Sequence, residues 1–91
     1  MNAPVARRVV VSGNVQGVFF RDQTRRQAQS RGVAGWVRNC SDGTVEAHFE
    51  GDAAAVEELV RWSREGSRHA DVHDVHVQDA EPAGLDRFTI R

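Results

Sequence analysis

The clearest alternation of apolar and polar residues along the chain runs from Thr44 to Glu50. The apolar members lie on one side of an extended backbone and the polar members on the other: Val45, Ala47 and Phe49 against Thr44, Glu46, His48 and Glu50. This period of two predicts a β-strand with one face buried and the other exposed to solvent. The Asp42-Gly43 pair that precedes the strand is a strong β-hairpin signal.

Two other segments show the 3.6-residue period of amphipathic helices. The first helix is expected from Phe20 to about Arg31, with Gly32 as its stop. The second begins at Gly51-Asp52, where Asp52 can cap it, and ends at Gly66. Their apolar faces are Phe20, Thr24 and Ala28 in the first helix and Val56, Leu59, Val60 and Ser63 in the second.

Shorter runs of apolar residues predict the remaining strands at Arg7–Ser12, Val33–Asn39, Asp71–Asp79 and Arg87–Arg91. Val72 has the opposite parity to Val75 and Val77, which a β-bulge or an exposed Val72 would explain. Residues 1–6 are expected to form a flexible tail. The order β-α-β-β-α-β, with a possible short extra C-terminal strand, predicts a single α+β domain over residues 1–91. It is a ferredoxin-like sandwich, in which an antiparallel sheet carries two helices on one face.

Composition narrows the class of protein. The chain of 91 residues has a net charge of −1, so no general attraction to nucleic acid or to anionic lipid is expected. No apolar run is long enough to span a membrane, and the N-terminal residues show no signal-peptide pattern. A single cysteine, Cys40, excludes an internal disulfide framework and fits a reducing compartment. We therefore expect a cytoplasmic protein that binds neither membranes nor nucleic acid.

The segment from Val9 to Arg21 reads as a strand, a loop with two glycines and the start of a helix. Such a loop leaves backbone N–H groups without partners, and together with the helix dipole they attract anions. A cation in the first helical turn, such as Arg21, opposes the dipole at a cost of about 0.3–1 kcal/mol, which a bound anion would offset. The segment is therefore interpreted as a phosphate or carboxylate cradle. Because the two strands of a β-α-β unit end at the same edge of the sheet, the Asn39 amide is expected at the mouth of this cradle.

At this point the sequence resembles the acylphosphatase family. Residues 13–21, GNVQGVFFR, match the family signature GxVQGVxFR, and residues 32–39, GVAGWVRN, match its second signature, GxxGWVxN. The likeness extends to the Asp42-Gly43 turn, to Gly51 and to the closing residues 88–91, so it spans nearly the whole chain. In one place the chain departs from the family, since Gly66-Ser67-Arg68-His69 stands where many members have a Gly-Pro pair.

The resemblance implies an enzyme that hydrolyses acyl phosphates to a carboxylate and inorganic phosphate, with no metal and no cofactor. It implies that Arg21 binds the phosphoryl group and that Asn39 holds the attacking water. The phosphate would be held by the backbone N–H groups of Gln16, Gly17, Val18, Phe19, Phe20 and Arg21. A small-molecule acyl phosphate is then the only partner expected, and a monomer is the default for the family.

Other interpretations were weighed against this one. Arg21 alone could be a surface arginine paired with Asp22 or Asp52, and Asn39 a turn residue at a strand end. Phe19, Phe20 and Trp36 are expected to be packing residues. The histidines at positions 69, 73 and 76 do not have the spacing of a recognised metal site.

Two other function classes stay open. A nucleic-acid or regulatory binding module would need aromatic residues on the exposed sheet face, whereas Glu46, His48 and Glu50 are expected there. A specialised acylphosphatase-like domain, as in larger hydrogenase-maturation proteins that act on carbamoyl phosphate, would need further domains. Because the chain ends directly after residues 88–91, a stand-alone enzyme is expected.

Overall fold

A computed structural model describes residues 3–91 of the chain. Its seven elements are β1 (Val5–Asn14), α1 (Phe20–Ser30), β2 (Ala34–Asn39), β3 (Val45–Gly51), α2 (Ala53–Glu65), β4 (Asp71–Ala80) and β5 (Phe88–Ile90). The five strands form one sheet in the order β4-β1-β3-β2-β5. Neighbouring strands are antiparallel except β2 and β5, which are parallel. The predicted ferredoxin-like sandwich and its extra C-terminal strand are thus confirmed.

The core lies between the helices and one face of the sheet. α1 buries Phe20, Thr24 and Ala28, and α2 buries Val56, Leu59, Val60 and Ser63, which are the faces predicted from the sequence. The sheet contributes the side chains of alternate residues: Val9, Val11, Val37, Val45, Ala47, Phe49, Val75 and Phe88. The two helical hydroxyls do not remain unpaired in this core, because Thr24 donates to the Phe20 carbonyl at 2.8 Å and Ser63 to the Leu59 carbonyl at 3.0 Å.

The N-terminal prediction needs a correction. β1 already begins at Val5, which is paired with Gly51, and Ala6 is fully buried. The flexible tail predicted for residues 1–6 therefore does not include Val5 and Ala6. The first two residues of that predicted tail lie outside the described part of the chain.

The expectation of an exposed polar face on β3 is wrong. Glu46, His48 and Glu50 are only 5%, 9% and 4% exposed, because β3 is the central strand and its neighbours cover this face. Arg8 of β1 and Arg38 of β2 both bind the Glu46 carboxylate, with Arg38 Nε at 2.7 Å from Oε1. Burial raises the pKa of Glu46, but the hydrogen bonds and charges of the two arginines outweigh it and hold the pKa below its ordinary value.

Glu50 holds the loop between β4 and β5 against this same face. Its Oε1 accepts the Ala83 N–H at 2.9 Å, and its Oε2 accepts those of Gly84 and Leu85 at 3.1 Å each. His48 Nε2 lies 2.7 Å from Oε1. Burial raises the pKa of Glu50, but these hydrogen bonds outweigh burial, so the pKa lies below its ordinary value. The buried carboxylate thereby fixes the path of the chain into β5.

The irregularity in β4 is a bulge. Ser12 pairs with Asp74 and Gly13 pairs with Val72, so the pairing with β1 skips His73. Val72 then returns to the core side, where it packs partly buried against the hydrophobic cluster. Across residues 3–91, no helix has the length and apolar character needed to cross a membrane.

Candidate active site

The loop between β1 and α1 has an unusual backbone. Gly17 has φ 73°, and Phe19, the residue that caps α1, has φ 60° and ψ 21°. For a residue with a side chain such a left-handed conformation costs about 1–2 kcal/mol. The first backbone hydrogen bond of α1 runs from the Gln23 N–H to the Phe19 carbonyl at 3.0 Å. The N–H groups of the first helical turn before Gln23 therefore have no partner within the helix.

These N–H groups face a pocket of about 290 Å³ at the edge of the sheet. The pocket lies where β1 and β2 end, with β3 between them, as the predicted topology requires. Its walls come from the loop, the start of α1, the end of β2 and β5: Val15, Gly17, Phe19, Phe20, Arg21, Asp22, Asn39 and Ile90. The fold thus brings Arg21 and Asn39 to one pocket, as the sequence predicted.

Arg21 is held at the pocket without an acidic partner. Its Nη1 donates to the Arg91 backbone oxygen at 3.3 Å, and no carboxylate of residues 3–91 lies within ion-pair distance of it. Asp22 pairs instead with Arg25 at 3.0 Å and Arg26 at 3.1 Å. The interpretation of Arg21 as a surface arginine paired with an aspartate is therefore wrong, and its positive charge is available to an anion.

Asn39 ends β2 on the opposite wall. Its Oδ1 is buried and accepts no hydrogen bond from any described residue. A buried acceptor without a partner costs about 1–3 kcal/mol, and such groups are rare in folded proteins. An acceptor in this condition, facing a pocket with a guanidinium and free N–H groups, fits a small polar ligand that can donate a hydrogen bond.

Gln16 links the two walls of the site. Its Nε2 donates to the Cys40 carbonyl at 2.8 Å and to the Thr44 carbonyl at 2.9 Å. Both acceptors belong to the turn that follows Asn39. The position of the loop relative to the Asn39 amide is therefore set by this one side chain.

A family model described as Acylphosphatase matches residues 7–90. The chain belongs to the acylphosphatase family. It is 60% identical over 86 residues to an acylphosphatase of Rubrobacter xylanophilus, a match that covers 92% of this chain and 77% of that one. An acylphosphatase of Haloquadratum walsbyi is 57% identical over 83 residues, which cover 91% of this chain and 89% of that one. An acylphosphatase structure from Coxiella burnetii has a TM-score of 0.93 at 35% identity, covering 97% of this chain and 93% of that one. The predicted family and enzyme class are confirmed.

Within this acylphosphatase fold, the structure distributes the predicted phosphate-binding residues over two places. Gly17, Phe19, Phe20 and Arg21 line the pocket together with Asn39. Val18 faces a neighbouring pocket, and Gln16 reaches away to the 40–44 turn. The predicted binding of phosphate by the N–H groups of residues 16–21 stays a prediction. Phe19, expected to be a packing residue, is instead 76% exposed.

Other residues of the site were not predicted from the sequence. The Gln16 amide was overlooked because only its backbone N–H was considered, although a polar residue between Val15 and Gly17 in a signature is itself a signal. Val15 and Ile90 shape the apolar part of the pocket, and Asp22 is the one acidic side chain that lines it. Across the described residues, no three His, Cys, Asp or Glu side chains come together as metal ligands would.

Proposed function

We propose that this acylphosphatase-family protein hydrolyses acyl phosphates without a metal ion. The phosphate is held by the N–H groups of residues 16–21 and by Arg21, and Asn39 positions the water. The observation that carries the proposal is the pocket in which an unpaired guanidinium, free N–H groups and the buried, partnerless Asn39 Oδ1 converge. A phosphate dianion and a water molecule together satisfy all three.

The charge arrangement suits phosphoryl transfer. The transition state is loose and spreads negative charge over the equatorial phosphate oxygens, so catalysis depends mainly on positioning and electrostatic stabilisation. The N–H groups of the first helical turn and Arg21 supply donors fixed by the backbone before the substrate arrives. Asp22 opposes them, but Arg25 and Arg26 both pair with its carboxylate.

The leaving group needs no help from a protein acid. Water attacks phosphorus, the bond between phosphorus and the carboxyl oxygen breaks, and the carboxylate departs with the bonding electron pair. A carboxylic acid has a pKa of about 4, so its anion leaves unprotonated at neutral pH. The products are a carboxylate and dihydrogen phosphate, which balances the atoms and the charge.

Asn39 orients the water but does not deprotonate it. Its Oδ1 accepts a hydrogen bond from the water, and its amide N–H can donate one to a phosphate oxygen. An amide is too weak a base to take the proton, which passes to a phosphate oxygen of the substrate. The rate is then expected to show no ionisation of an enzyme group near neutral pH.

Hydrolysis of benzoyl phosphate, measured with and without a chelator, tests the proposal. Arg21→Gln and Asn39→Ala are each expected to lower kcat by about 10²–10³-fold, the usual effect of removing one donor or positioning group. Arg87→Gln and Asn14→Ala are matched controls, because both residues are exposed and neither lines the pocket. Both controls are expected to keep wild-type activity.

The possible outcomes separate the parts of the proposal. A folded wild-type protein that does not hydrolyse benzoyl phosphate contradicts the activity. Turnover that survives Arg21→Gln places the site wrongly, and turnover that disappears with chelator contradicts the metal-free chemistry. Folding of each variant is checked by circular dichroism and thermal unfolding.

A further inference from the structure

A second pocket, of about 420 Å³, adjoins the candidate active site. The two pockets share Phe19 and Asp22 in their walls, so a ligand anchored by phosphate in the first can extend into the second. The far wall of the second pocket is the connector after α2, residues 67–69. Nothing in the proposed phosphate chemistry uses this space.

Phe19 lies on the boundary between the pockets in a state that folding alone does not favour. Its ring is 76% exposed and its backbone is left-handed, which is unusual for an aromatic residue. Strained backbone of this kind clusters at functional sites. Position 19 is also the unspecified position of the signature GxVQGVxFR, so a phenylalanine here is a property of this chain. An exposed ring at this point offers an apolar surface to whatever is attached to the phosphate.

The connector is fixed against the loop that holds Phe19. Ser67 is 8% exposed, and its hydroxyl donates to the Val18 carbonyl at 3.3 Å. Arg68 and His69, which follow it, are exposed and line the second pocket. They stand where many family members have a Gly-Pro pair. The chain has thus placed polar and charged groups on a wall that carries none in those members.

The charge of this pocket is positive on balance. Asp22 is its only acid, and that carboxylate is already paired with Arg25 and Arg26. Arg68 has no carboxylate within ion-pair distance among residues 3–91. Arg26 and Arg68 therefore face a ligand with more positive charge than Asp22 neutralises.

We propose that the second pocket binds the acyl group and favours acyl groups that carry a second anionic group, a carboxylate or a phosphate. Arg68 is the specificity-determining residue, and the Phe19 ring packs against the carbon chain between the two anions. This inference rests on the proposed function, because the phosphate must occupy the first pocket.

Three rigid substrates test the proposal: benzoyl phosphate, 4-carboxybenzoyl phosphate and its neutral amide analogue, 4-carbamoylbenzoyl phosphate. The wild type is expected to show a kcat/KM for the carboxylate about two- to fivefold above those for both neutral substrates, the size typical of one exposed ion pair. This preference is expected to shrink as salt screens the charges. Arg68→Gln is expected to bring the ratio of carboxylate to amide close to one.

Arg61→Gln is the matched control, since it removes the same charge from an exposed position on α2 that lines neither pocket. It is expected to leave the ratio unchanged. Equal kcat/KM values for all three substrates in the wild type overturn the inference while leaving the proposed function intact. A preference that survives Arg68→Gln overturns the role of Arg68. Absence of turnover of all three overturns the proposed function and this inference with it.

Discussion

Replacing Glu50 with glutamine is expected to loosen the sheet edge on which the candidate site is built. The carboxylate accepts three backbone N–H groups, from residues 83 to 85. An amide has one acceptor oxygen where the carboxylate has two, so at least one of these N–H groups loses its acceptor. The bonds that remain change from charge-assisted to neutral. β5 follows this loop directly, and its Ile90 lines the pocket.

The expected loss is set by these bonds. A hydrogen bond to a charged group contributes about 1.5–3 kcal/mol, and a neutral one about 0.5–1.5 kcal/mol. Losing one and weakening the others lowers the free energy of unfolding by about 2–4 kcal/mol. For a domain of this size that corresponds to a fall in Tm of roughly 10–25 °C. Urea unfolding and thermal unfolding at pH 7 measure it directly.

The pH dependence provides a second test of the same group. The folded pKa of Glu50 lies below its ordinary value, so its charge stabilises the fold fully above the unfolded pKa of about 4.3. That stabilisation is lost as pH falls through the folded pKa. The gap in stability between wild type and Glu50→Gln is therefore expected to be constant near neutral pH and to narrow below about pH 4.

Glu57→Gln is the control for this experiment. Glu57 is a half-exposed carboxylate, 3.6 Å from Arg7, and such surface pairs contribute at most about 1 kcal/mol. If Glu50→Gln destabilises the protein no more than Glu57→Gln does, the Glu50 carboxylate does not hold the loop in solution. The same conclusion follows if the stability gap does not change in acid.

Three further changes have expected outcomes. Gln16→Ala removes the bonds to the 40–44 turn, so we expect a loss of about 1–3 kcal/mol in urea unfolding and a lower kcat on benzoyl phosphate; an unchanged kcat contradicts its positioning role. Gly17→Ala and Gly32→Ala both put a side chain at positive φ with no atom in its way, so each is expected to cost about 1–2 kcal/mol. Only Gly17→Ala is expected to weaken phosphate inhibition of the enzyme, and equal effects would place the cradle elsewhere. Asp52→Ala removes the hydrogen bond to the Ala55 N–H, and a fall in unfolding free energy of about 1 kcal/mol without loss of activity is expected.

Periodicity predicted the elements and their faces because local burial determines them. The stripe on α2 and the parity break at Val72 were both visible in the sequence, and the bulge at His73 accounts for the second. The polar side of β3 was mispredicted for a physical reason. Alternation shows which residues share a face, but not whether arginines of neighbouring strands cover that face, and Arg8 and Arg38 become neighbours of Glu46 only through the pairing of the strands.

The site shows the same division between local and non-local information. Arg21 and Asn39 could be placed at one edge of the sheet because the strand order alone brings them there. The side chains that set their relative position depend on tertiary contacts. Gln16 ties the loop to the turn after Asn39, and Ser67 ties the same loop to the connector.

These two anchors act on opposite sides of a very short segment. Gln16 and Val18, the residues they hold, are separated only by Gly17, whose positive φ allows the chain to turn between them. A displacement of the connector is therefore transmitted through a few backbone bonds to the N–H groups proposed to bind phosphate. Residues of the acyl pocket and residues of the phosphate pocket are expected to be energetically coupled for this reason, since groups that share a rigid segment rarely act additively.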